Sequence, residues 1–82
     1  METTQERKQV SLPNLSVLAY ANNFTIWHYK TDDLSVESEG YFDKTADMMN
    51  VNDLMIVQTP LGLRFYRVAE KSKDKIAIAF HQ

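Results

Sequence analysis

The stretch LMIVQTPLGLRFYRVAEKSKDKIAIAF, residues 54–80, gives the clearest indication of the fold class. It contains three runs that are rich in β-branched and aromatic residues, the composition typical of β-strands. The connections between the runs are short and contain turn-forming residues: PLG at 60–62 and KSKD at 71–74. Strands of this length with such turns form a meander, so we predict strands at 54–59, 63–70 and 75–80.

Large and small residues alternate in the last of these strands. Ile76, Ile78 and Phe80 are predicted to face the core, because side chains of a strand alternate between its two faces. Ala77 and Ala79 then lie on the opposite face, which another surface can approach closely. We therefore predict that these two alanines contact a partner or another subunit.

Two further strands are predicted before this region, LSVLAYA at 15–21 and FTIWHYK at 24–30, with an Asn-Asn turn at 22–23 between them. Both runs are apolar on both faces. This pattern is typical of strands that are covered on both sides, and we predict such burial here. A turn at 31–33 and a short exposed strand at 34–38 are expected to follow.

The segment after this strand contains a glycine, two aromatic residues and a predicted helix. Gly40 is suited to a bend or a positive φ angle. Tyr41 and Phe42 are expected to anchor the chain to the core. Asp43 can cap a helix, which we predict at about 43–49. The predicted fold is therefore mainly β, a small antiparallel barrel or sandwich with one short helix.

The chain is predicted to divide into a flexible N-terminal arm, residues 1–12, and a single small β domain, residues 13–82. Pro13 restricts the preceding residue to an extended geometry and marks the entry to the fold. The first eleven residues are polar and lack periodicity, which is typical of disorder. The arm can be a tail without a role, or it can order on a neighbouring subunit. For the second alternative the contact residues would be Arg7, Val10 and Leu12.

The composition favours association with another protein. The chain has 82 residues and no cysteine, so disulfides are excluded. With two histidines and no cysteine, the composition also argues against a structural zinc site. A chain of this size has a thin core, and small folds commonly need an additional source of stability. Oligomerisation, or docking on a partner, is the remaining way to gain that stability.

Charge and hydropathy argue against nucleic-acid and membrane partners. The net charge is −2, from nine basic and eleven acidic residues, and no basic face is evident. No apolar run approaches the roughly 20 residues of a membrane span. The beginning of the chain, METTQERKQV, has charges of both signs and does not resemble a signal peptide. We expect the protein to be made in the cytoplasm and to remain soluble.

The residues suggest no catalytic or cofactor site. His28 has no orienting carboxylate or nucleophile at a recognisable spacing, so we interpret it as a hydrogen-bonded structural histidine. The acidic residues do not match a calcium-binding loop, and the two glycines do not form a phosphate-binding loop. We predict that the protein is not an enzyme and uses neither a metal nor a cofactor.

The aromatic residues are candidates for the core and for an interface. Tryptophan and tyrosine are enriched at the residues that dominate protein–protein interfaces. We therefore predict that Trp27 and Tyr29, together with Tyr41 and Phe42, contribute to contacts with a partner or subunit. A core role for the same rings stays open at this point, as does a stacking platform for sugars or single-stranded nucleic acid.

Two runs, FTIWHYKTDD at 24–33 and EGYFDKTADMMNVNDLMIV at 39–57, resemble a module of virion proteins from tailed bacteriophages and related gene transfer agents. That module combines a strand of the Trp-His-Tyr type, a Gly-Tyr-Phe anchor, a short helix rich in Asp and Asn, and a hydrophobic strand after a turn. Asn52 occupies a turn position where glycine is common, and asparagine also tolerates the left-handed geometry. The resemblance covers about half of the chain.

The resemblance implies a non-enzymatic component of a virus particle. Proteins of this kind decorate heads or belong to tail appendages, and many are trimers. For this short chain it implies a head decoration or cementing protein on the capsid exterior. Such a protein would bind the major capsid protein and copies of itself, and it would stabilise the capsid by bridging capsomers.

Two alternatives to a decoration protein stay open. The first is the base of a tail fibre or appendage, or a carbohydrate- or receptor-binding module, for which aromatic residues beside polar groups in a groove are expected. The second is a small phage regulator that binds a host protein.

Overall fold

The structure, a computed structural model, describes residues 9–80. The prediction of a mainly β fold is confirmed. Five of the six predicted strands are present, and only one of these five, β4, extends beyond its predicted bounds. The strands are β1 (Leu15–Ala21), β2 (Phe24–Lys30), β3 (Leu54–Thr59), β4 (Gly62–Ser72) and β5 (Lys75–Phe80).

The strands form one five-stranded sheet in the order β1-β2-β3-β4-β5. Three neighbouring pairs are antiparallel, but β2 and β3 are parallel. The sheet is therefore mixed, which differs from the antiparallel barrel or sandwich that the sequence suggested. A parallel pair requires a long connection from one end of the sheet to the other. Residues 31–53, called the crossover below, make this connection.

The crossover contains no α-helix. Its regular structure is one 3-10 turn, Asp43–Thr45, followed by further turns, so the predictions of a helix at 43–49 and a strand at 34–38 are wrong. The carboxylate of Asp43 does not cap a helix: it accepts the backbone N–H of Ile76 at 3.0 Å. Gly40 has a φ of 85°, as its predicted role in a bend requires. Contacts with the sheet, rather than helix propensity, determine the path of this segment.

The core lies between the crossover and one face of the sheet. β2 contributes Trp27 and Tyr29, and the crossover contributes Tyr41 and Phe42, all of them buried. The rings of Tyr29, Tyr41 and Phe42 pack edge to face, with centroids 4.9 to 6.2 Å apart. The remaining apolar core residues are Val10, Val36, Ala46, Met49, Met55, Val57, Tyr66, Val68 and Ile76.

Only one face of the sheet is covered by the described residues, so the prediction that β1 and β2 are covered on both sides is wrong. Six of the seven residues of β1 are exposed, because β1 is an edge strand that the crossover does not cover. On β2, buried residues alternate with half-buried or exposed ones. The crossover builds one layer over the sheet, and no second layer among residues 9–80 covers the other face.

The buried carboxylate of Asp53 joins the end of the crossover to β2. Its oxygens accept the indole N–H of Trp27 at 3.0 Å, the backbone N–H of Asn50 at 3.0 Å and that of Thr25 at 3.3 Å. A buried carboxylate is tolerated when such donors surround it. The sequence suggested only a turn role for Asp53, but in the structure its carboxylate connects the crossover to β2.

The domain begins earlier than Pro13. Val10, which the sequence assigned to the arm, is a core residue, and its N–H donates to the carbonyl oxygen of Tyr41 at 2.9 Å. Leu12 starts a 3-10 turn, Leu12–Asn14, and its side chain is exposed. Arg7, the third predicted arm residue, lies outside the described residues.

Candidate interaction surface

The sheet has a second face, opposite the crossover, which we call the open face. Cross-strand partners share a face, and the register places Ile26, Leu54, Arg67 and Ala79 in one row across four strands. A second row, two positions further along the strands, contains His28, Ile56 and Phe65. The side chains of the open face on β2 to β5 are Phe24, Ile26, His28, Lys30, Leu54, Ile56, Gln58, Leu63, Phe65, Arg67, Glu70, Ser72, Lys75, Ala77 and Ala79.

The centre of the open face is apolar. Ile26, Leu54 and Ile56 are half-buried by their neighbours, while Phe65 is 39% exposed and Phe24 is 41% exposed. Single exposed apolar residues are common in proteins, but a contiguous group on adjacent strands is typical of an interaction site. The open face therefore qualifies as a surface for protein contacts.

Polar groups surround this apolar centre. The ring nitrogen Nε2 of His28 lies 3.2 Å from Oε1 of Gln58, a hydrogen bond between β2 and β3. His28 is thus a hydrogen-bonded residue of the sheet, as the sequence predicted. Arg67 and Glu70 are exposed on β4 and add charges of both signs. An apolar centre with a polar rim is the usual anatomy of a protein–protein interface.

The structure separates the predicted contact residues into two groups. Ala77 is exposed and Ala79 is half-buried, and both belong to the open face, as the alternation in β5 predicted. That they contact a partner stays a prediction.

The four predicted aromatic contact residues belong to the core instead. Trp27, Tyr29, Tyr41 and Phe42 are 8% exposed or less, so their side chains contact the chain itself. The core role that the sequence left open is the one that the structure shows. The physical reason is the strand periodicity of β2, which points Trp27 and Tyr29 toward the crossover.

The sequence reasoning missed the central residues of the open face, Ile26, Leu54, Ile56 and Phe65. A usable signal was present, because β2 and β3 are apolar on both faces. Residues 9–80 provide one covering segment, the crossover, and it covers only one of those faces.

Two tyrosine hydroxyls fasten the crossover to the rest of the fold. The hydroxyl of Tyr41 lies 2.8 Å from that of Tyr29 and donates to Oδ2 of Asp33 at 2.7 Å. The hydroxyl of Tyr66 on β4 donates to Oε2 of Glu37. Burial raises the pKa of both Tyr41 and Tyr66, and the hydrogen bonds to carboxylates add to this shift. Both hydroxyls therefore remain protonated donors at neutral pH.

A groove of about 470 Å³ lies between the crossover and the β4–β5 hairpin. Charged residues of both signs line it, among them Glu39, Asp43 and Lys71. Because Asp43 already accepts the N–H of Ile76, the groove is the seam where the crossover meets the edge of β5. Within residues 9–80, no group of three or more histidine or acidic residues could hold a metal ion.

Comparisons with protein-family models, with curated proteins and with solved structures found no match. Among the helical segments of the described chain, none is long and apolar enough to cross a membrane.

Proposed function

We propose that this protein is a non-catalytic assembly protein that binds another protein through the open face. The observation that carries the proposal is the apolar centre on β2, β3 and β4, which the described part of the chain leaves uncovered. Removing such a surface from water is favourable, and association is the way in which a single-layered sheet can achieve it. The polar rim supplies the directional contacts that select one partner.

The open face of one copy is small compared with the contact surface of a typical stable complex. Five strands about 4.8 Å apart, each with about six residues rising about 3.3 Å, give a face of roughly 480 Å². Stable complexes bury about 800 Å² on each partner. A contact of this size is sufficient where many copies bind to a regular lattice, because avidity multiplies weak contacts.

More specifically, we propose a head decoration protein of a tailed bacteriophage. The Trp-His-Tyr and Gly-Tyr-Phe segments that resemble phage virion proteins support this assignment, and the modest size of the open face is compatible with it. In this proposal the partner is the major capsid protein, and the protein bridges neighbouring capsomers on the capsid exterior. The protein would also associate with its own copies.

A pair of charge-introducing variants tests the contact. Phe65→Glu places a carboxylate in the centre of the open face, whereas Leu34→Glu places one on the exposed crossover, where Leu34 is 64% exposed. Both variants are expected to fold, as circular dichroism can verify. In co-sedimentation with particles that lack the protein, Phe65→Glu should bind at least tenfold more weakly than wild type, and Leu34→Glu should bind normally. Equal binding by all three folded proteins would refute the proposed contact.

The copy number in purified particles tests the assignment to the head. Quantitative mass spectrometry relative to the major capsid protein should give hundreds of copies for a decoration protein. A dozen copies or fewer would instead indicate a vertex or tail component. Absence from particles would indicate a regulator that acts in the host cell.

A further inference from the structure

β1 is an edge strand whose outer side has no strand partner among residues 9–80. The backbone N–H and C=O groups on such an edge can pair with a strand of another chain. Proteins usually prevent this with charged residues, prolines, β-bulges, very short strands or a covering segment. β1 has seven residues, none of them charged or proline, and only a bulge between Val17 and Ala19 interrupts its register.

The side chains of β1 are unusually apolar for an edge. Val17 is 54% exposed, Leu18 is 57% exposed and Tyr20 is 64% exposed. The opposite edge of the sheet, β5, differs clearly. It begins with Lys75, the carboxylate of Asp43 accepts the N–H of Ile76, and the 3-10 turn of the crossover packs against it. Within residues 9–80, the crossover contacts the β5 edge and leaves the β1 edge available.

We propose that β1 pairs antiparallel with β1 of a second copy, across a two-fold axis, so that one continuous sheet spans both copies. When a strand pairs with its own copy across a two-fold axis, the residues of β1 face residues of the same strand in the second copy, and a residue near the axis lies close to its own equivalent. Any charge near the axis would therefore face a like charge, which destabilises strand pairs. β1 contains no charge, and this neutrality favours a second copy over a partner that would be recognised by charge.

A ring built by pairing β1 with β5 of the next copy is not favoured by the structure. Asp43 already accepts the N–H of Ile76, the second residue of β5, and the 3-10 turn of the crossover packs against this strand. Pairing of β1 with β1 closes at two copies, since both edges of the contact are then used. The contact thus gives a dimer, in contrast to the trimers that are common among the virion proteins that the sequence resembles.

The dimer has a consequence for the open face. Two open faces joined edge to edge present roughly 960 Å², because each sheet contributes roughly 480 Å². This exceeds the roughly 800 Å² that each partner buries in a stable complex. The pairing of β1 goes beyond the proposed function and does not depend on it, but it would give that function a surface of sufficient size.

Sedimentation equilibrium between about 1 and 200 µM, the range in which weak dimers are measured, tests the proposal. Wild type should dimerise in this range. Leu18→Lys introduces an edge charge that meets its copy, and should weaken dimerisation at least tenfold. Leu61→Lys is the matched control, since Leu61 is 70% exposed in the β3–β4 turn, and it should dimerise as wild type does. A monomeric wild type, or equal dimerisation by Leu18→Lys, would overturn the proposal.

Single cysteines provide a second measurement, because the chain has no cysteine of its own. Cysteine substituted in turn at Val17, Leu18, Ala19 and Tyr20 should give a disulfide-linked dimer under mild oxidation at one or more of these positions. Leu61→Cys should not. If no β1 position cross-links above this control, β1 is not the contact.

The cross-link also separates this proposal from the proposed function. Phe65→Glu combined with the best β1 cysteine should still cross-link if β1 forms the dimer, even where particle binding is lost. Loss of the cross-link in that folded variant would assign the dimer to the open face and overturn the pairing of β1.

Discussion

The carboxylate of Asp53 is 1% exposed and accepts hydrogen bonds from the indole of Trp27 and from the backbone of Thr25 and Asn50. Its own backbone adds two further bonds, an N–H donated to Asn50 and a carbonyl that accepts from Val68. One side chain thereby ties the crossover to β2 at the point where the chain enters β3. Asp53 is the residue at which the parallel crossover is fixed to the sheet.

We expect Asp53→Ala to lower the free energy of unfolding by about 3 kcal/mol, because it leaves the indole N–H of Trp27 and two backbone donors buried without their acceptor. Urea unfolding followed by the fluorescence of Trp27, the single tryptophan, measures this loss. Asp47→Ala is the control on an exposed residue of the crossover and should change the stability by less than about 0.5 kcal/mol. Equal effects of the two variants would show that Asp53 does not have this role.

The strands of this molecule could be predicted from the sequence, and the crossover could not. The bounds of β1, β2, β3 and β5 follow from local composition and from turns such as Asn22-Asn23, where both residues have a positive φ. Asn52, at the position where the resemblance suggests glycine, also has a positive φ of 79°. Such features depend on neighbouring residues alone.

The crossover depends instead on residues that are distant in the sequence. Asp43 binds the backbone of Ile76, and Tyr66 binds Glu37, so helix propensity at 43–49 is overridden by contacts that no local pattern reveals. The parallel pairing of β2 with β3 has the same cause. The assignment of Trp27 to an interface failed for a related reason: residue type alone does not tell which face of a strand the crossover will cover.

The two buried tyrosines that hold the crossover make its attachment sensitive to alkaline pH. The pKa of Tyr41 and of Tyr66 is raised in the folded chain, so folding favours the protonated hydroxyl. This stabilisation is complete below a pH of about 10, the pKa of an unfolded tyrosine, and it is lost as the pH rises further. The free energy of unfolding should therefore decrease between about pH 10 and pH 11.5.

Urea titrations at several pH values measure this decrease, and Tyr66→Phe provides the comparison. The variant lacks the hydroxyl that titrates, so its stability should be lower than that of wild type at pH 8 and should decrease less steeply above pH 10. A wild-type stability that is constant between pH 9 and 11.5 would contradict the assigned direction of the two shifts.

At the scale of the whole molecule, the sheet is one-sided: its crossover face carries the stability, and its open face is available for contacts. Adjacent residues on one strand should then respond in opposite ways. Tyr66 is 1% exposed and points toward the crossover, whereas Phe65 is 39% exposed on the open face. Tyr66→Ser should lower the free energy of unfolding by about 4 kcal/mol, because a buried ring is lost. Phe65→Ser should lower it by about 1 kcal/mol.

Binding should follow the reverse order. Phe65→Ser is expected to remain folded and monodisperse while its affinity for particles falls at least tenfold, because the truncated ring belongs to the proposed contact and not to the core. Any loss of binding by Tyr66→Ser should disappear once the measurement is corrected for the fraction unfolded. If Phe65→Ser destabilises the isolated chain as much as Tyr66→Ser does, then the open face is part of the core of this molecule, and the division of the sheet into a stabilising face and a binding face is wrong.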